Sequence, residues 1–182
     1  MANKDFTLCL EGHSGARLRT ISKNDIENLR TWKNSKKTTC FLNHDITPEQ
    51  QEKWYGMFYK QEHDYMFIVE LAIGEEWKGI GCMGFRKLEN EGCIDAYNII
   101  RALKFGPPVF TMGDAFCLML AYAASLYDNL PVQSKVLITN PAVVWYEKNH
   151  FFIEKAFSNY YLMELNKEAI KKYNLFIKNT II

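Results

Sequence analysis

The sequence predicts a single α/β domain built on one mixed sheet, and three observations carry that expectation. The stretches with regular patterning follow one another as strand, two helices, three strands, helix, strand, helix, two strands. The last two helices each connect strands, as in the βαβ units that make parallel neighbours. The three consecutive strands before them imply an antiparallel part. At 182 residues the chain has the length of one domain and can bury a sizeable core.

Each element has a local reason. "ARLRTIS" (16–22) alternates as a strand does. In "SKNDIENLRTWKNS", Ser22 or Asn24 can cap a helix whose face holds Ile26, Leu29 and Trp32 or Lys33. "KKTTCFLNHDI" reads as a loop. "TPEQQEKWYGMFYKQ" starts a helix, with Thr47 as N-cap and Pro48 at the first helical position. "DYMFIVELA" (64–72) and "WKGIGCMGFRKLE" (77–89) are strands joined by a turn at "IGEE". Gly79, Gly81 and Gly84 in the second of them predict bulges or close backbone approach. "CIDAYNII" (93–100) is the third strand, and "RALKFGPPVFTMGD" is a loop. The helix "AFCLMLAYAASLYD" (115–128) is apolar on nearly all sides, which predicts burial. "SKVLITN" (134–140) is a strand, "PAVVWYEKN" a short helix, and "HFFIEKAF" with "NYYLMELNK" a final hairpin. The tail "EAIKKYNLFIKN" reads as a weakly amphipathic helix.

Composition narrows the function classes. Lysine and arginine (22) nearly balance aspartate and glutamate (21), so no global field favours nucleic acid or an acidic membrane. No apolar run approaches the roughly 18 residues of a membrane span, and the N-terminus has no long apolar stretch of the kind a signal peptide needs. The five cysteines are odd in number and contain no C-x-x-C pair, and no two of the four histidines lie at i, i+4. Those patterns speak against a disulfide framework or a metal site and fit a reducing, cytoplasmic setting.

The element order, together with the motif N-P-A-x-x-x-Y-E-K-x-x-F between Asn140 and Phe151, resembles the GNAT superfamily of N-acetyltransferases over residues 16–165. "LRTISKNDIENLRTWKNS", with Trp32-Lys33-Asn34, is similar to the opening of the branch that acetylates ribosomal-protein N-termini and amino sugars. "YEKNHF" followed by "YYLMELNK" resembles the nucleotide-linked amino-sugar acetyltransferases. The resemblance implies a mixed, mostly antiparallel sheet of about seven strands, a splayed central parallel pair, flanking helices and a helical tail over 166–182. It also implies acetyl-CoA as cofactor and transfer to a primary amine by a monomer or homodimer, with no nucleic-acid or membrane partner. A nucleotide-linked amino sugar is the first acceptor it suggests. A protein N-terminus is the second, and a binding protein of the same fold without catalysis is the other reading.

The same resemblance assigns roles. Tyr146 is the general acid: a phenol ionises near pH 10, above a thiol, and can protonate a leaving thiolate. The alternative is a tyrosine that only packs its helix on the sheet. Asp95, on the third strand, is the candidate base, with Glu70 as the alternative. Ile99, Ile100 and Arg101 at the splayed strand end, and Asn140 after the next strand, are expected at the cofactor. The pyrophosphate is expected at the N-terminus of the buried helix. The family's glycine-rich loop is absent there, so two alignments compete: Lys104-Phe105-Gly106, or Thr111, Met112, Gly113, Asp114 and Ala115. The second is preferred because Gly113 directly precedes the helix. Trp32, Asn34, Asn43, His44 and Tyr97 are expected around the acceptor, and Lys36 and Lys37 near a phosphate on it. Trp145 packs in the core or near the cofactor, and His150 stands where the family usually has glycine.

Overall fold

The computed structural model describes residues 4–36, 41, 44–58, 62–103, 110–171 and 175–178. The chain opens with β1 (Thr7–Leu10) and β2 (Ala16–Thr20), then a 3-10 turn (Lys23–Asp25) leading into α1 (Ile26–Ser35) and α2 (Pro48–Phe58). A meander follows: β3 (Asp64–Ile73), β4 (Glu76–Leu88) and β5 (Cys93–Arg101). Then come α3 (Met112–Leu126), β6 (Val132–Leu137), α4 (Ala142–Lys148), β7 (Phe151–Ala156), β8 (Tyr160–Leu165) and β9 (Leu175–Lys178). One sheet holds them in the order β7-β8-β6-β5-β4-β3-β2-β1-β9. Every pairing is antiparallel except β5 with β6.

The sheet has nine strands rather than about seven, and both additions lie at one edge. β1 is four residues long and β9 is another four, each too short to show a period. They define each other by pairing from Thr7↔Lys178 to Leu10↔Leu175, a contact that local sequence does not carry. Among the described residues of the tail, Leu175–Lys178 is therefore strand rather than α-helix. A 3-10 turn (Lys167–Ile170), capped by the Asn166 side chain, leads on to β9 at the sheet edge.

Alternation along the strands sorts side chains to two faces. Leu18, Phe67, Phe85, Ile94 and Ala96 face α3, whose apolar surface is buried nearly all round. Ile21, Met66, Ile68, Cys82 and Ile100 face the α1 and α2 side with Leu29. α2 begins at a reciprocal cap: Gln50 N donates to Thr47 Oγ1, and Thr47 N donates to Gln50 Oε1. α1 is anchored through Asp25, which receives both arms of the Arg19 guanidinium and the Ser22 backbone N–H.

Two of the strand glycines are required by close approach. A Cβ on Gly81 would stand 2.2 Å from the Ile100 carbonyl oxygen, and one on Gly84 would stand 2.7 Å from Tyr65 O. β4 thus lies unusually close to its neighbours at the level where β5 changes course.

Candidate functional site

β5 and β6 pair for only two residues, Ile94↔Val132 and Asp95↔Gln133. Beyond them β6 keeps its bonds to β8 through Leu137, while β5 stays with β4 through Arg101. On the β5 side a bulge helps the divergence. Between the pairs Gly84↔Tyr97 and Cys82↔Ile100, Asn98 and Ile99 oppose the single residue Met83. Asn98 takes φ 53°, a left-handed conformation that asparagine tolerates better than most residues. A cavity of about 670 Å³ opens where the strands part, within the usual range for small-molecule sites.

Splitting a parallel pair leaves backbone groups without a ladder partner, and buried ones need replacements. Ala96 is the first β5 residue past the last pair. Its carbonyl accepts from Ser134 Oγ at 2.9 Å, and the same Ser134 oxygen stands 3.0 Å from the Tyr146 hydroxyl. Ser134 and Tyr146 are both buried, and both border the cavity. Tyr146 is held edge-on by Phe116, Trp145 and Phe151, with ring centroids 5.3–5.7 Å apart. α4 presents it because Asn140 turns the chain: Asn140 Oδ1 accepts from Ala142 N at 2.9 Å. α4 ends at Lys148, and His150 just beyond its C-cap Asn149 takes φ 71°, the left-handed stop that glycine usually supplies.

On the other face of β5, Asp95 and Tyr97 point toward α1 and α2. Asp95 Oδ2 accepts from Arg86 Nε and an Arg86 terminal nitrogen at 3.0 and 2.9 Å. Burial works against the Arg86 charge, but the Asp95 carboxylate outweighs it and keeps the guanidinium firmly protonated. Arg86 also lies over the Tyr97 ring at 4.8 Å. The Tyr97 hydroxyl donates to Asp64 Oδ1 at 2.5 Å. Burial, then the neighbouring Asp64 charge, pushes the Tyr97 phenol well above its ordinary value, so it stays a donor. Burial raises the Asp64 carboxyl in turn, against the opposing effect of Tyr97 and Arg86.

The cavity gathers Lys36, Asp95, Tyr97, Ile99, Ile100, Arg101, Met112, Asn140, Trp145 and Tyr146, ten of the residues expected from sequence. It does not gather the others. Trp32 packs beneath Gly79, and Asn34 clamps the backbone of Ile46 through both its amide groups. His44 is exposed outside the cavity wall. Glu70 is committed to Arg17 and Arg19, at 2.7 and 2.9 Å, on the far side of β3 from the split. Asn43, Lys37 and the alternative loop 104–106 lie outside the described residues.

The N-terminus of α3 departs most from expectation. Thr111 Oγ1 accepts from Asp114 N at 3.2 Å, while Asp114 Oδ2 accepts from Thr111 N and Oγ1 at 2.8 and 2.7 Å. This closed capping box consumes two of the donors a phosphate would use and sets a carboxylate beside them. Gly113 has its own packing reason: a Cβ there would lie 2.7 Å from Asn149 Oδ1. Of Thr111 to Ala115, Met112 alone borders the cavity.

Ser134, Arg86 and Lys33 are among the cavity residues that the sequence does not single out as site residues. Ser134 meets partners 38 and 12 residues away, and Arg86 meets Asp95 across the β4–β5 hairpin, so the linear pattern marks neither. Lys33 was placed on the inner face of α1 as an alternative to Trp32, and the structure selects it. It is buried at 7 % exposure, with its ammonium 4.3 Å over the Trp54 ring. A lysine four residues after buried Leu29, on the inward side of an amphipathic helix, is the signal that was present.

No protein-family model matches the chain, and no curated protein matches it. Solved structures do. A domain from Methanocaldococcus jannaschii aligns with a TM-score of 0.67 at 17% identity, over 88% of this chain and 99% of that one. FdhC, described as a nucleotide-linked sugar GNAT, aligns at 0.69 and 15% identity, over 92% of this chain and 94% of that one. Spermidine N-acetyltransferase from Vibrio cholerae, in complex with CoA and spermine, aligns at 0.67 and 17% identity, over 84% of this chain and 95% of that one. The chain has the GNAT fold.

Proposed function

We propose that the protein is an acetyl-CoA-dependent N-acetyltransferase that acylates a primary amine by direct transfer. The observation that carries this reading is the opened β5–β6 pair with the Tyr146 hydroxyl in the wall of the gap. Acetyl-CoA would supply an acetyl thioester whose thiolate leaves. The β5 segment Ile99, Ile100 and Arg101 would hold it on one side, and Asn140 and Met112 on the other. Tyr146 would give a proton at its hydroxyl. Phe116, Trp145 and Phe151 pack against its ring and fix its direction. Asp95 is the carboxylate of the acceptor side of the gap. Both Arg86 bonds end on Oδ2, so Oδ1 is the oxygen that would take the amine's proton, directly or through water. The self-capped start of α3 fits a pyrophosphate poorly, so the phosphates would rely on the amides of Met112 and Gly113.

The acceptor class follows from charge. Among the described residues, the basic ones bordering the cavity are Lys33, Lys36, Arg86, Arg101 and Lys135, and the acidic ones are Glu91 and Asp95. A polycation such as the spermine of the Vibrio cholerae structure would enter against a net positive wall. An amino sugar on a nucleotide carrier would bring its phosphates toward it. This favours the acceptor type named for FdhC over a polyamine. The test is calorimetric titration with acetyl-CoA, followed by thiol release against a panel of UDP-linked amino sugars, polyamines and N-terminal peptides. Affinity is expected below about 1 mM, with turnover on the sugar nucleotides. No heat up to that concentration would overturn the acetyl-CoA reading, and turnover on polyamines alone would overturn the acceptor class.

A further inference from the structure

We infer that Ser134 is a positioning residue for Tyr146, holding the phenolic proton at rest and supporting the phenolate once that proton has left. The inference rests on the proposed acid role of Tyr146 and adds to it a residue that acts through Tyr146. Its physical basis is a proton count at one oxygen. Ser134 Oγ has two neighbours, Ala96 O at 2.9 Å and Tyr146 Oη at 3.0 Å, and carries one proton. The Ala96 carbonyl can only accept, and it lies just past the last β5–β6 pair, where the ladder has ended. While the Ser134 proton serves that carbonyl, the bond between the two hydroxyls runs from Tyr146 Oη–H to Ser134 Oγ.

Loss of the tyrosine proton reverses that bond. The Oη–H bond breaks, its electron pair stays on Oη, and the proton joins the lone pair of the departing thiolate. Ser134 then turns its proton from Ala96 O to the phenolate oxygen. An O–H donor to a charged oxygen is stronger than one to a carbonyl, so the rotation favours the phenolate. Both residues are buried, Ser134 at 2 % and Tyr146 at 7 % exposure, so little solvent competes with the serine. The strand split and the acid are thus joined: the hydroxyl that caps the orphaned carbonyl of the gap is the one that touches the acid.

The test reads Tyr146 itself. Protein labelled with carbon-13 at the tyrosine ζ position is titrated without substrate, with the Tyr146 signal assigned through Tyr146→Phe among the 10 tyrosines. Ser134→Ala is expected to raise the ionisation midpoint of Tyr146 by about one pH unit, the usual size of losing one hydrogen bond to the charged form. Ser134→Thr, which keeps the hydroxyl, is expected to restore it. In active protein the alkaline limb of kcat should move with the titration while KM for acetyl-CoA holds. A Tyr146 midpoint unmoved in Ser134→Ala, or one that moves equally in Ser134→Thr, overturns the inference. Because the titration needs no turnover, an inactive parent would sink the proposed activity and leave this bond to be judged on its own.

Discussion

Gly81→Ala is the sharpest perturbation of the site's wall that leaves every functional side chain in place. The added Cβ would meet the Ile100 carbonyl oxygen at 2.2 Å, whereas real Cβ contacts essentially never fall below 3.0 Å. The strands must therefore part by at least 0.8 Å, the difference of those two distances. Backbone meets backbone here, so no side chain can rotate away, and the cost belongs at the upper end of overpacking, about 3 kcal/mol. The lower unfolded-state entropy of alanine returns less than about 1 kcal/mol. Two to three kcal/mol corresponds to a fall in Tm of roughly 4–12 °C for a chain of this size. The displaced segment is Ile100-Arg101, part of the cavity wall. A shift near 1 Å in a positioning element costs about 100-fold in kcat. Gly79→Ala is the matched control. Its Cβ meets the Ile68 Cγ2 methyl at 3.1 Å, which can give way, so it should cost under about 1 kcal/mol. Urea unfolding and thermal scans measure both. A Gly81→Ala protein as stable as the parent would mean that β4 and β5 do not lie in the register Gly81↔Arg101, and the bulge at Asn98 would fall with it.

Other expectations follow from the same contacts. Tyr146→Phe leaves Ser134 bonded to Ala96, so stability should change by less than about 1 kcal/mol, while kcat falls by roughly 100- to 1,000-fold in a thiol-release assay. His150→Gly relieves a side chain held at φ 71° and should raise stability by up to about 1 kcal/mol in urea unfolding. Burial opposes the charge on Asp25, but the Arg19 fork and the Ser22 N–H outweigh it and hold its carboxyl below the ordinary 3.8. A depressed acid stabilises above its unfolded value and loses that contribution as pH falls through and below it. Asp25→Asn should therefore cost about 2–3 kcal/mol at pH 7 and flatten the acid limb of a pH–stability curve below pH 4.

Much of this architecture was legible because the signals were local. Thr47-Pro48 starts α2 where the side-chain cap forms, and the apolar run 115–128 marked the helix that became the centre of the core. The positions of Asp95, Tyr97 and Tyr146 around one cavity followed from strand parity and the Asn140–Phe151 motif. The rest was set by contacts between distant segments. β1 and β9 are strands because they pair with each other, and a four-residue stretch has no period to announce that. Ser134 matters through a carbonyl 38 residues away and a hydroxyl 12 residues away. Gly113, expected at the phosphates, has a packing reason that the sequence does not show, the side chain of Asn149 from the end of α4. Of the family pattern Trp32-Lys33-Asn34, Lys33 is the residue on the cavity wall.

The central claim is that the gap between β5 and β6 is the acetyl-CoA slot and that Tyr146 stands at its reacting end. A crystal structure of the CoA complex tests this most directly. The account predicts the pantetheine chain threaded between the strands beyond Asp95 and Gln133, with its sulfur within hydrogen-bonding reach, about 3.5 Å, of Tyr146 Oη. CoA bound outside the gap, or in it with the sulfur turned away from Tyr146, would contradict the account.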